Sequence, residues 1–515
     1  MVSGADMSFT IGRAGAAAAR RDEDGQGSLF RVLVLGDFSG RASRQAERDA
    51  PPTFKPTVVD IDTLDAVLAR VAPQVQLELP QAPGAPLRFS LNALDDFEPD
   101  ALYARFPLLA RLRDLRSRLS NPATFEQAAA ELRADERPAA AVAPPPGAPA
   151  ADEDTASTMA RLLGGSMPSP TAPARAAPSV ASAVDDLIRR AVAPHVVPAT
   201  AHLQQPLIDS VDRAIGDTVR AVLGHPHWRS LEGAWRSVDH FVRHVEMDGQ
   251  VLLEIVDASA ADLLQSLMAA GGDAAAMPLA KTLKARRLHE GQEEGYALVV
   301  GLYEFGPSAP ELALLAGLGA LAAGEGAVFI GSGAPALALI DAPEVWSEFV
   351  PAGQADAAAQ ARWKALRASW VAPHVGLVWP QVLGRLPYGA RTQPVSAFSF
   401  EELPGKVEHR DLPWRLAALD AAALLAQGYV RDGWDLAPED SVEIEDLPAF
   451  TDRSGDDPRF QAVAELFMTE RQAQAVMANG VMALISHRAL PHARLAGWRS
   501  IASSSTPGLK GRWNA

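Results

Sequence analysis

The chain has 515 residues, 48% of them hydrophobic and 21% charged, enough apolar material to bury cores for two or three domains. Asp and Glu total 63 against 47 Lys and Arg, a formal charge of −16, which argues against nucleic acid as a partner. There is no cysteine, which excludes disulfides, thiol catalysis and cysteine-ligated zinc and fits a cytoplasmic chain. The longest apolar run, Leu312 to Ala323, is too short to span a bilayer and is closed by Gly324-Glu325-Gly326, so we expect a buried helix leading into a strand, and no membrane insertion.

Residues 1–28 combine Ala, Gly and charge without periodicity and read as a mobile tail. FRVLVL, Phe30 to Leu35, reads as a buried strand ending in Gly36-Asp37-Phe38-Ser39-Gly40-Arg41. A phosphate loop would need Lys-Ser/Thr after those glycines, and it is missing; a turn out of a central strand is the expectation. Val58 to Val71 reads as a helix, and Val75, Leu77 and Leu79 as an alternating strand. Asp95 or Asp96 is suited to cap a helix with Pro99 in its first turn. That helix carries Leu108, Leu112, Leu115 and Leu119 on one face and Arg111, Arg113, Arg116 and Arg118 around the other, a pattern of solvated ion pairs.

From 134 to 200 the composition shifts to Ala and Pro, and no core can be built from it: this is a linker. Within it Val184, Leu187, Ile188 and Ala191 form an apolar stripe, with Asp185 and Asp186 early and Arg189 and Arg190 late, as a helix dipole favours. An isolated short helix of this kind is a candidate docking peptide. Leu207 to Val245 then carries two apolar sets, one from Ile208 to Val222 and one from Trp228 to Val245, each at helical spacing. Pro226 divides them into a helical hairpin. Beyond it strands (251–256, 297–302, 328–330, 375–378) alternate with helices (260–270, 310–323, 360–368), which argues an α/β fold.

Two features carry enzyme-like chemistry. His240 and His244 are spaced i, i+4 and stand near His225 and His227, but no glutamate completes a zinc-protease helix, since 241–243 are Phe-Val-Arg. Gly331-Ser332-Gly333-Ala334-Pro335-Ala336 fits G-x-G-x-x-A after a strand, but no acidic residue closes a following strand as a dinucleotide site requires. A metal- or nucleotide-binding α/β enzyme using either feature is the alternative reading. The favoured one has no catalytic residue, metal or cofactor.

Several segments, in order, resemble contractile sheath proteins of the type VI secretion system. RVLVLGDFSGR and Leu94-Asp95-Asp96-Phe97-Glu98-Pro99-Asp100 are similar to the small sheath subunit (TssB/VipA). Leu223, His225, Pro226, Leu231, Glu232, Trp235 and Arg236, then Tyr303 to Pro307, Trp363 to Arg367, Pro380 to Gly389 and Phe398 to Glu402, are similar to the large one (TssC/VipB). Leu302 stands where that family usually has Asp, and Gln381 where it has Arg. The resemblance covers most of 29–133 and 201 to about 430, and the ending from Phe460 departs from it. It implies a tail-sheath-like α/β body of mixed sheets with packed helices. The expected domains are a small-subunit-like one at 29–133 and a large-subunit-like one at 201–515, and the implied role is a non-enzymatic sheath component or a sheath-like accessory. The implied partners are sheath, inner-tube or baseplate proteins, and an AAA+ disassembly ATPase at Val184, Leu187, Ile188 and Ala191. From the departing ending we expect a monomer or small oligomer in isolation.

Overall fold

The computed structural model describes residues 29–47, 51–80, 86–134, 204–289, 292–340, 357–453, 455, 457–488, 490–504 and 508–514. The 1–28 tail and the linker, including Val184, Leu187, Ile188 and Ala191, lie outside the described residues.

A nine-stranded sheet organises the larger of two compact units, which comprises the described parts of 1–77, 86–102 and 220–515. Its strands are β1 (Phe30–Gly36), β2 (Thr57–Val59), β3 (Val251–Asp257), β4 (Tyr296–Phe305), β5 (Val328–Gly333), β6 (Val375–Trp379), β7 (Glu443–Ile444), β8 (Met482–Ser486) and β9 (Ala493–Leu495). They lie in the order β7-β9-β8-β6-β5-β4-β1-β3-β2. The six from β8 through β3 in that order are parallel, and the remaining strands are antiparallel to their neighbours. Every residue of β1 is buried, as a near-continuous apolar run predicts for a strand covered on both faces. Its alternation shows which helices cover which face. Leu33 and Leu35 join a core with Leu315 and Leu318 of the helix Ala309–Gly324, whereas Phe30 lies 4.9 Å from Tyr429 of the helix Ala418–Asp432.

Ala309–Gly324 is the run that was too short for a membrane. It is buried nearly all round and leads into β5, as expected. Two glycines let it sit deep; a Cβ on Gly319 would lie 2.5 Å from Val375 Cγ2. Two helices form where they are expected, Gln204–Leu223 and Pro226–His244, with His225 as the extended N-cap that Pro226 requires. The second of them is where the first part of the chain seats. Trp228 meets Phe89 and Phe97 edge-on at 5.5 and 5.4 Å, and Trp235 packs its edge on Phe38 and donates from Nε1 to the Phe38 carbonyl at 3.0 Å.

Three expectations change. The helix read over 58–71 is a strand, Thr57–Val59, followed by a helix confined to Leu64–Val71; the Asp60 carboxylate accepts the Asp62 and Thr63 N–H groups and turns the chain between them. The helix after Pro99 is two, Pro99–Arg105 and Pro107–Ser120, because Pro107 holds Phe106 extended (ψ 123°). The stretch from Phe460 onward, read as departing from the sheath pattern, supplies β8 and β9 to the central sheet.

The second unit comprises the described parts of 78–85 and 103–219. Within it Leu108, Leu112, Leu115 and Leu119 are buried along Pro107–Ser120. The arginines on the other side behave as a solvated face: Arg116 pairs with Asp212 at 2.5 Å, and Arg118 with Asp114 at 3.0 Å and Glu131 at 2.7 Å. Such exposed pairs contribute little each.

Candidate functional site

Charges that sit within otherwise apolar segments converge at two buried nodes. The first is built by the helix Pro226–His244 and the loops after β6. Glu232 projects from the helix face that buries Leu231 and Trp235, so its carboxylate needs a cation. It has two: Arg236 one turn along and Arg385, each donating from Nε to Oε1 at 2.7 Å. Arg385 also clamps Glu402 with both terminal nitrogens, at 2.7 and 3.0 Å, and its plane lies 4.3 Å from the Tyr388 ring centre. The Tyr388 N–H closes the set on Glu402 at 2.8 Å. The Arg385, Glu232 and Glu402 side chains are 3, 3 and 4% exposed, so nothing here is screened by water. Burial alone would push the Glu232 carboxyl up, but Arg385 and Arg236 hold it below the usual range. Burial likewise opposes the Arg385 charge, and Glu232 and Glu402 secure it well above the ordinary arginine value. Arg385 thus clamps Glu232 on the helix to Glu402 in the loop that follows β6.

The second node ties β1 to the sheet. Arg31 stands second in FRVLVL and Glu254 within VLLEIV, and they pair at 2.7 Å with side chains 2 and 1% exposed. Arg31 also donates to the carbonyls of Ala285 (2.9 Å) and Glu294 (2.7 Å) and lies 3.9 Å over the Tyr296 ring centre. Arg287 takes the other Glu254 oxygen at 2.7 Å. Burial, with Glu254 alongside, pushes the Tyr296 phenol up, so it stays neutral. In the observed register Arg31 stands opposite Leu252 and Leu33 opposite Glu254, so the guanidinium reaches along the strands to its partner.

The four histidines do not form one cluster. His225 and His227 stand at the start of their helix and His240 and His244 near its end, about 22 Å apart at 1.5 Å per residue. His225 Nδ1 accepts the His227 N–H at 3.2 Å as an N-cap, a task for the neutral ring that burial favours. His240 Nδ1 lies 3.1 Å from Asp420, which Arg415 grips at 2.6 and 2.8 Å; burial alone would raise the Asp420 pKa, but Arg415 and His240 hold it well below the usual range. His244 stacks on His240 at 4.0 Å and lies 3.3 Å from Asp446. Both line a cavity of about 430 Å³ with Asp420, Arg431, Asp440 and Glu443. Among the described residues, no group of three or more His, Cys, Asp or Glu is placed to hold a metal.

The Gly331–Ala336 segment is not a loop either. Gly331 to Gly333 complete β5, and a helix of only four residues starts at Pro335. Gly331 is small because a Cβ there would lie 2.8 Å from the Phe305 ring. Gln381, one of the two departures from the sheath pattern, donates from Nε2 to Glu304 Oε1 at 3.4 Å, whereas Leu302 faces Gly36.

The sequence pointed at the correct letters of the first node without showing that they meet. The signal it carried was physical: a charged residue flanked by buried apolar ones must find a partner. Arg31 and Glu254 carried the same signal. No helix among the described residues is long and apolar enough to cross a membrane.

An α/β sheet with a strand from the first part of the chain in its interior, tied by paired charges, is the frame of this protein. Residues 205–502 match the VipB family, described as "EvpB/VC_A0108, tail sheath N-terminal domain", and the chain belongs to that family of tail sheath proteins. Residues 25–135 match the family described as "Type VI secretion system, VipA, VC_A0107 or Hcp2", so small- and large-subunit sheath sequences are fused in one chain. The VipB match runs well past 430, where the resemblance read from the sequence had stopped. The chain is similar to the type VI secretion system sheath protein TssC1 of Pseudomonas aeruginosa strain PAO1, 27% identical over 308 residues. That alignment covers 58% of this chain and 61% of the relative.

Proposed function

We propose that this protein is a non-enzymatic structural component of a type VI contractile sheath, or a sheath-like accessory, that acts in the cytoplasm by protein–protein assembly. The observation that carries the reading is β1. A strand from the small-subunit-like part lies inside the sheet, paired in parallel with β3 and β4 of the large-subunit-like part. The partners in this reading are other sheath, inner-tube or baseplate proteins.

Both edges of the sheet are short, three residues in β2 and two in β7, which leaves little template for a further strand. The formal charge of −16 opposes close self-packing at low salt. The isolated protein is therefore expected to be a monomer or small oligomer in negative-stain electron microscopy at low salt. Long hollow tubes would instead make it a bulk sheath protomer.

The proposal includes a docking role for Val184, Leu187, Ile188 and Ala191, an apolar stripe whose place and pattern resemble the large-subunit helix that the AAA+ disassembly ATPase recognises in the family. Leu187→Asp should abolish binding of that ATPase's N-terminal domain in calorimetry while leaving the circular dichroism spectrum unchanged. Retained affinity in the variant would remove this partner from the proposal.

A further inference from the structure

The segment between the strand Arg459–Phe460 and the helix Glu470–Ala478 crosses the carboxyl ends of the parallel strands as a loop that is largely buried. Val463, Leu466 and Met468 point into the core, the Leu383 N–H donates to the Val463 carbonyl at 2.8 Å, and the Ala464 N–H donates to Ser486 Oγ at 2.9 Å. At its centre Glu465 adopts φ +44°, a left-handed conformation that a side chain other than glycine's takes at a cost in strain. Something must hold it there, and the side chain shows what.

The Glu465 carboxyl is 9% exposed. It accepts the Gln381 N–H at 2.8 Å, and His409 Nε2 lies 3.5 Å away, the imidazole stacked on Trp414. The other charge facing it is the exposed carboxylate of Glu304, at the end of β4, which the Gln381 side-chain amide contacts. No arginine or lysine stands in this set. A buried carboxyl between an amide, an imidazole and a second carboxylate is best satisfied when one proton is shared between it and His409.

We propose that residues 461–469 form a proton-sensitive clasp, in which a protonated Glu465 carboxyl, donating to His409 Nε2, holds the loop closed over the ends of β4, β6 and β8, and its deprotonation lets the loop open. Burial, reinforced by Glu304 and only partly offset by the Gln381 N–H, pushes the Glu465 carboxyl up to about 7. An opened loop would return it to the ordinary glutamate value near 4.5. Its folded value is raised, so the closed loop keeps a proton that the open loop releases. Closure is thus favoured in full below about pH 4.5 and loses that advantage as pH rises through 7. At pH 6 a roughly tenfold preference remains, and by pH 8.5 it is gone.

Hydrogen exchange on the full chain, read in peptides spanning 461–469 and corrected for the intrinsic pH dependence of exchange, tests this. Wild-type protection should fall roughly tenfold from pH 6 to pH 8.5. Glu465→Gln, which keeps the shape and can receive the Gln381 N–H without a proton to lose, should remove that pH dependence and stay protected at pH 8.5. His409→Gln should shift the midpoint of the wild-type transition, and it serves alone if Glu465→Gln does not fold. A pH-independent wild type, equal pH dependence in Glu465→Gln, or an unmoved midpoint in His409→Gln would each overturn the clasp.

Discussion

Replacing Arg385 by leucine is expected to destabilise the protein by about 3–5 kcal/mol, the cost of removing one partner from a buried ion pair. The loss comes less from the missing attraction than from what remains. Glu402 keeps only the Tyr388 N–H, and Glu232 keeps Arg236 alone, both in a site closed to water. Arg385→Lys should not rescue, because an ammonium cannot clamp Glu402 with two parallel bonds and reach Glu232 as well. The double replacement Arg385→Leu with Glu402→Leu should recover much of the loss, since it removes the orphaned charge. Equilibrium urea unfolding followed by tryptophan fluorescence would report this. A single-variant loss under about 1 kcal/mol, or a double variant worse than the sum of the singles, would mean that the clamp is not structural.

Arg31→Met is expected to have an effect of the same order, about 3–5 kcal/mol, with a different consequence for the fold. Arg31 answers Glu254 and two carbonyls at once, and it ties β1, which lies between β3 and β4, to its surroundings by charge. Arg287 remains on Glu254, but its side chain is 44% exposed and cannot replace a fully buried guanidinium. A double-mutant cycle with Glu254→Gln should yield a coupling energy of roughly 2–3 kcal/mol. Exchange protection should fall most in peptides covering 30–36, because a strand without its buried ion pair opens first. Strictly additive single-variant losses, with β1 as protected as before, would assign the hold on β1 to the apolar side chains alone.

Much of the fold was legible in the residues. The six parallel strands include five read directly from apolar runs, and the pair of helices on either side of Pro226 followed from spacing and that proline. Local chemistry misled where two patterns overlap. Val58-Val59 continue the apolar spacing of the helix at 64–71, but Asp60 has a carboxylate that turns the backbone, and only the backbone shows that. Phe106-Pro107 was a boundary that the leucine stripe concealed. β7, β8 and β9 were missed for another reason: they are short or sit in a stretch whose letters depart from the sheath pattern, so their strand character depends on the neighbours they pair with.

By itself the sequence determined the class: a large α/β chain without cysteine, with no dinucleotide or zinc signature complete, and with sheath motifs in small-then-large order. Those properties are local, because hydrophobic period, turn residues and motif spacing are written within a few tens of residues. The tertiary structure alone decided which charges meet. Arg31 and Glu254 are 223 residues apart, Arg385 and Glu232 are 153, and nothing in their immediate neighbours names the partner. It also decided that Gly331 lies within β5 against the Phe305 ring, and that the two histidine pairs lie at opposite ends of one helix. Burial removes the water that would otherwise satisfy each charge, and the partner that replaces it is chosen by the packing of elements that are remote in the chain.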